Sequence, residues 1–481
     1  MRYFLKYHYI SIVLIIFAFL VLAAKQFLSG SGYLSYDSTY YLALSESILN
    51  GNGVTLPSRN GNGVQYIAYW PVGYPIIIAA FSEILNIGTF TASKIVSLFS
   101  VLVSLYLIMK YFKTFGAALM LVMIFDRSMA VFSYSWSEAP FIACLIFFSG
   151  CIGRIIGNSS EGLKVPFYPV FFAACFLFLF RYVGIFSIGV ISIVLLITLF
   201  FKNKRASINL MWVIISVSLF VTIYLFSNKY LTGHLTGMGR GTSSQTIFEL
   251  LLDTSSSLWE GLWPIILMAP PLLILSKRQL SAQINSKEFY MSASFIAAGF
   301  MYISSIVFLR SVSHFDDIGW RLVTPGSILV LIGSFNLLFI FFPQQTKKIK
   351  IYISLIALLS LVMHLALAIE LRFPGGFNKA TQMRLAKYSM IPDGSIVFSR
   401  DIYIRYLRPD LNVDLDFFDP QIPSEERWKT NIKTLNPSKK IYVEIGDFNI
   451  SSQLADNSKT YIEVMNEDGF YNLMLKKLKV E

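Results

Sequence analysis

Three ionisable residues stand where apolar runs meet polar segments. They are Asp37 in SYDSTYYLALSESILNGNG (35–53), Glu138 in SYSWSEAPF (133–141), and Arg181 between FFAACFLFLF and GIFSIGV. A carboxylate at a membrane–water boundary can take a proton from a hydroxyl. Asp37 starts a helical pattern with Tyr41, Leu44 and Ile48 on its apolar side and Gly51 at its end. It is therefore either such a base or, in competition with Ser35, an N-cap whose side-chain oxygen accepts a free backbone N–H. Glu138 is either an interfacial carboxylate facing water or a functional acid, because an acid beside long apolar runs is costly unless partnered. A central Arg costs ~2.5–3.5 kcal/mol on insertion scales, and snorkelling lowers this near an interface. Guanidinium matches phosphate oxygens bidentately, so Arg181 either binds a phosphate or pairs with Asp37 or Glu138.

Two further segments collect polar groups. SVSHFDDIGWRLVTP (311–325) gathers His314, Asp316, Asp317 and Arg321. His314 is a proton carrier, a metal ligand or an ordinary loop histidine, and the two aspartates can pair with Arg310 and Arg321. GHLTGMGRGTSS (233–244) places Arg240 in a glycine-rich stretch. It follows no soluble strand, so a nucleotide-type phosphate loop is not expected. Arg240, with His314, is a candidate accessory residue beside a lipid phosphate.

The elements that must position these residues follow from composition. The chain has 481 residues, 55% hydrophobic, 16% aromatic and 14% charged, with mean hydropathy +0.60. Soluble domains carry about 25% charged residues, so a disordered chain, a coiled coil and an ordinary soluble enzyme are excluded. Apolar runs near 9–28, 92–109, 116–133, 139–153, 166–180, 183–201, 207–227, 258–276, 289–309, 322–342 and 350–370 make about eleven transmembrane helices, each close to the ~20 residues that cross a bilayer. The net charge of +12 is then a topological signal rather than a nucleic-acid footprint. Lysines and arginines at 2/6, 110/113, 154/164, 202/204/205, 277/278/287 and 347/348/350 belong inside, and segment 29–91 holds only Arg59. The N-terminus is expected inside, with residues 1–24 an uncleaved signal-anchor rather than a removed signal peptide. Residues 71–86 (PVGYPIIIAAFSEILN) are short and carry Glu83, which suggests an interfacial helix on the outer surface.

The expected fold class is an all-α polytopic membrane bundle with a small C-terminal soluble α/β domain. The membrane module covers 1–370, including the first outer loop 29–91, and the extracytoplasmic α/β domain covers 371–481. Within the latter, 394–399 and 439–446 read as strands, 400–407 and 424–435 as helices. The doubled GNGV at 51–54 and 61–64 reads as two turns. Cys144, Cys151 and Cys175 lie in apolar runs without a zinc-type spacing.

The order of motifs supplies a resemblance. An Asp-Ser pair follows the first span, Tyr-Leu follows it, a helix ends in Gly, and WPVGYP opens an apolar helix. This resembles the first outer loop of GT-C superfamily glycosyltransferases, in the branch of protein O-mannosyltransferases and the aminoarabinose transferase. The resemblance covers 1 to about 210 by motif and the remainder by architecture. It implies a polyprenyl-phosphate sugar donor, Asp37 as general base and Glu138 as the second catalytic acid. It also implies Arg181 near the donor phosphate and Arg321 with Pro325 as the late Arg…Pro element, here in the order Trp-Arg-Leu. A divalent cation is an open option, with Asp37 and Glu138 as its ligands if one binds.

The expected activity is inverting transfer of one hexosyl- or pentosyl-type sugar to an acceptor hydroxyl on a glycan, lipid or protein. The expected place is the outer face of a bacterial cytoplasmic membrane. A transporter or flippase would favour repeats and midplane charges. A polymerase or ligase would carry its large outer loop late in the chain. Both remain as alternatives, and nucleic acid is not an expected partner. The WWDYG signature of oligosaccharyltransferases is absent.

Overall fold

The computed structural model describes residues 2–160, 167–237, 243, 245–274, 286–313, 315–389, 391–399, 401–415, 439–444, 460–467 and 470–477, with side chains over 9–268 and 286–442 within these ranges. In chain order the first elements are α1 (Arg2–Leu28), α2 (Tyr36–Leu49), β1 (Thr55–Pro57), β2 (Val64–Tyr66), α3 (Gly73–Leu85), α4 (Thr89–Leu119), α5 (Asp126–Ser133) and α6 (Glu138–Ser160). Next come α7 (Tyr168–Phe180), α8 (Phe186–Phe200), α9 (Lys204–Thr232), α10 (Ile247–Ile274), α11 (Lys287–Val312), α12 (Trp320–Phe341) and α13 (Thr346–Glu370). The last are α14 (Gly376–Tyr388), β3 (Ile396–Phe398), α15 (Ile404–Leu407), β4 (Asn412–Asp414), β5 (Ile441–Glu444), β6 (Thr460–Glu467) and β7 (Phe470–Lys477).

Contacts divide the chain into two compact units: 1–29 with 68–372, and 30–67 with 373–481. In the first unit, eight helices among the described residues are long and apolar enough to cross a membrane. Backbone groups in hydrocarbon must be satisfied internally, which a helix does within one segment. α9 shows the lipid-facing surface, with Trp212, Leu219, Ile223 and Phe226 exposed along it. α12 is the most enclosed of these spans.

Small residues let α12 approach α11. A Cβ on Gly326 would lie 2.8 Å from the Gly299 carbonyl oxygen, and one on Gly333 would lie 2.7 Å from that of Ser292. Asn336 Nδ2 donates to Ser292 Oγ at 2.7 Å, joining the same two helices.

Two expected spans depart from a simple crossing. Residues 116–133 are not one helix. The chain reverses at Lys113 (φ +40°), continues as a 3-10 segment at Met120–Ile124, and breaks at extended Phe125 before α5. The cause is the charged pair that follows. Asp126 is held by His364 at 3.3 Å, and Arg127 by Glu260 at 2.7 Å. The expected span at 166–180 is α7, only 13 residues long and shorter than the ~20 a crossing needs. α3 is equally short at 13 residues.

In the second unit the strand order is β4-β3-β5-β7-β6. β3 runs parallel to β4 and β5, and β7 pairs antiparallel with β5 and β6. β3 and β5 occupy the two segments that read as strands. The helix expected over 400–407 is the single turn α15, and the one expected over 424–435 lies outside the described residues. Tyr388, Ile391, Val397, Ile404, Val413 and Tyr442 form the core of this unit, against which Tyr36 of α2 packs. β1 and β2 form a hairpin with Leu56 opposite Gln65. The repeated GNGV segments each turn on two glycines at positive φ: Gly51 and Gly53, then Gly61 and Gly63.

Candidate active site

Glu138 is the first residue of α6, at the end of the buried strap Ser133–Ser137. The strap is tied down along its length. Lys94 Nζ donates to the Ser133 carbonyl at 3.1 Å, and Ser93 and Ser135 share a hydroxyl hydrogen bond of 2.8 Å. Glu138 is completely buried. Its Oε1 accepts from Arg321 Nε at 2.6 Å and forms an ion pair with Arg181 Nη1. One carboxylate thus faces two guanidiniums.

Each arginine is delivered by a specific local device. Arg181 ends α7 in an extended conformation (φ −152°, ψ 135°). The chain then turns sharply, with Gly184 N–H donating to the Arg181 carbonyl at 2.8 Å. A Cβ on Gly184 would sit 2.3 Å from the Leu177 carbonyl carbon, so only glycine fits this turn. Tyr182 is fixed beside it, donating to the Ala68 carbonyl at 2.7 Å and accepting from Asn228 Nδ2 at 2.9 Å.

Arg321 lies in the first turn of α12. Pro325, four residues on, lacks the N–H that would bond its carbonyl. The Arg321 guanidinium stacks 4.0 Å from the Trp136 ring centroid. Trp136 in turn stacks on Tyr134 at 3.9 Å and lies 6.1 Å from Trp320. Such cation–π contacts strengthen on desolvation.

A second polar group adjoins through Trp320. Arg127 lies 5.2 Å from that ring. Beyond Arg127, Asp126 meets His364, whose Nδ1 accepts from Lys25 Nζ at 2.7 Å.

Asp37 belongs to the second unit, in the buried first turn of α2. The N-cap there is Ser35, whose side chain accepts from Ser38 N–H. That settles which of the two residues caps the helix, and it leaves Asp37 where a negative charge suits the helix N-terminus. Around it in this unit, Arg59 Nη2 donates to Tyr40 Oη at 2.8 Å, and the Arg405 guanidinium lies 3.7 Å from the Tyr40 ring.

Of the residues singled out in the sequence, Glu138, Arg181 and Arg321 come together. Asp317 pairs with Arg310 at 3.3 Å, while Arg321 is taken by Glu138. His314 and Arg240 lie outside the described residues. Trp136 escaped notice, although it stands two positions before Glu138. Tryptophan beside a membrane-boundary acid is the signal that marks it.

The group does not suit a divalent cation. Glu138 is flanked by two guanidiniums, and no cluster of three or more His, Cys, Asp or Glu suited to a metal occurs among the described residues.

No family model and no curated protein matches the sequence. Solved structures do. ArnT from Cupriavidus metallidurans bound to undecaprenyl phosphate aligns with TM-score 0.55 and 12% identity, covering 97% of both chains. Its apo state aligns at 0.57 and 12%, covering 96% of this chain and 97% of that one. The fold is that of ArnT. At this identity the likeness is one of fold. The Archaeoglobus fulgidus oligosaccharyltransferase AglB aligns only at TM-score 0.47 and 10% identity, covering 90% of this chain and 69% of that one, too weak to carry an argument. With the apolar spans, the ArnT-like fold makes the chain an integral membrane protein.

Proposed function

We propose that the protein is a membrane glycosyltransferase that moves one sugar from a polyprenyl-phosphate donor to an acceptor hydroxyl. The single observation that carries this reading is the convergence of Arg181 and Arg321 on Glu138. Two guanidiniums brought together among apolar helices suit the phosphate oxygens of a lipid-linked donor. The ArnT structure with undecaprenyl phosphate supports the same donor class by analogy of fold.

In this mechanism Asp37 takes the proton of the acceptor hydroxyl. The freed oxygen attacks the anomeric carbon as the bond from that carbon to the phosphate oxygen breaks. The polyprenyl phosphate leaves with the bonding electrons, and Arg181 and Arg321 stabilise its charge. A single displacement inverts the anomeric configuration. The role of Asp37 rests on its place after the first span and on the GT-C resemblance. Glu138, held by both arginines, acts as the residue that aims them rather than as a second base.

The test is release of polyprenyl phosphate by purified protein in nanodiscs, supplied with lipid-linked sugar and an acceptor extract. Wild type is expected to release it, and Asp37→Asn to fold, insert and lose about 10²-fold or more of the rate. An Asp37→Asn protein turning over at the wild-type rate would overturn the mechanism.

A further inference from the structure

The end of the first unit opposite Glu138 carries a feature that sugar transfer does not use. α4 and α6 run in the same direction: Ser93 meets Ser135 near their starts, and Gly150 abuts Tyr111 further along. Lys110 and Lys113 therefore lie at the far end from Glu138. The close of α12 and the start of α13 share that end, since Phe115 stacks on Phe339 at 4.5 Å and Lys350 Nζ lies 5.9 Å from the Phe115 ring. Lys347 and Lys348 are exposed there, as is Lys113. A cleft of about 260 Å³ opens among α1, the segment after Lys113, and α13. Ile10, Leu14, Ala118, Leu355 and Leu358 supply its apolar lining, and Lys350 stands in its wall.

We infer that this cleft binds an anionic phospholipid of the leaflet opposite the transfer site. Its acyl chain fills the cleft, and its phosphodiester sits among Lys350 and the lysines that begin α13. Size and charge argue together. An apolar cavity of ~150 Å³ already accommodates benzene, so this one has room for a length of acyl chain. The apolar walls suit an acyl chain, and the half-buried Lys350 places a cation at their edge. A lysine stem covers apolar surface while its ammonium reaches the interface, where anionic headgroups gather and attract each nearby cation. The reversal at Lys113 creates the site, because it brings Thr114, Ala117 and Ala118 back along α13 as one wall.

The experiment is native mass spectrometry of the full-length protein, titrated with phosphatidylglycerol and, separately, phosphatidylcholine of the same chains. Wild type is expected to bind one phosphatidylglycerol at least about fivefold more tightly than phosphatidylcholine, the size of one lysine–anion attraction at a membrane surface. Lys350→Ala should weaken that preference severalfold while Lys350→Arg keeps it. Ser354→Trp, which fills the cleft from its half-buried rim, should remove the tight equivalent altogether. Equal affinity for the two lipids in wild type would overturn the proposal. So would an unchanged tight equivalent in a folded Ser354→Trp protein. None of these variants alters Asp37, Arg181 or Arg321, so the outcome is independent of the transfer reaction.

Discussion

Glu138 is closed off from bulk solvent and is held by its two arginines. Removing one member of a buried charged group leaves the others uncompensated, at ~3–5 kcal/mol. Glu138→Gln should therefore lower the melting temperature in detergent sharply, whereas a surface carboxylate such as Glu83 should tolerate the same change; equal shifts would show that the cluster is not buried in solution. The contrast in the other unit is Arg408, which bonds Asp410 at 2.7 and 2.9 Å and Asp393 at 2.9 Å. Burial pushes the Asp410 carboxyl up, but the hydrogen bonds and charge of Arg408 outweigh it and hold the group below the usual carboxylate range. A depressed native value means stability that is present above the unfolded value of ~3.9 and lost as pH falls through the native one. Wild type should accordingly resist proteolysis of this unit better than Asp410→Asn at pH 6, and the gap should close as the medium is acidified through the lowered native value. A gap that persists in acid would assign the difference to packing. At this scale the charged residues were legible because apolar runs make every charge conspicuous. Their pairing was not, since 183 positions separate Glu138 from Arg321.

At the scale of elements, the contact of α11 with α12 rests on missing side chains. Gly299 and Gly326 meet with a prospective Cβ 2.6 Å from the opposing carbonyl oxygen. Gly326→Leu should cost ~1–3 kcal/mol through overpacking, and it should also weaken donor binding because Arg321 lies five residues before it on the same helix. A variant with lowered stability and unchanged donor KM would separate helix packing from arginine placement. Most long helices were readable as apolar runs, and a few begin at Ser or Asn caps. Asn203 accepts from Ala206 N–H and Ser286 from Phe289 N–H, each at 3.1 Å. Asp126 and Arg127, charged within the apolar run 116–133, are the local sign of the break at Phe125, but their partners are not readable from the sequence. What interrupts that run is a contact with His364, 238 positions away.

For the whole molecule, lysines crowd one end of the helices while Glu138 stands at the other, the asymmetry by which positive loops stay inside. Cysteine placed at exposed Lys348 should react with an impermeant maleimide only after the cells are permeabilised. Cysteine at Asp393, 90% exposed in the second unit, should react in intact cells. The reverse pattern would put the proposed transfer on the other face. Composition and the spacing of apolar runs by themselves determined that the chain is a membrane protein and where most of its long helices lie, because hydrocarbon admits few arrangements of backbone and charge. Only the tertiary structure decided that one buried carboxylate is shared by two arginines, that a tryptophan seats one of them, and that residues 30–67 pack with 373–481. Those outcomes depend on side chains meeting across hundreds of residues, where local pattern carries no information about which partner satisfies a buried charge.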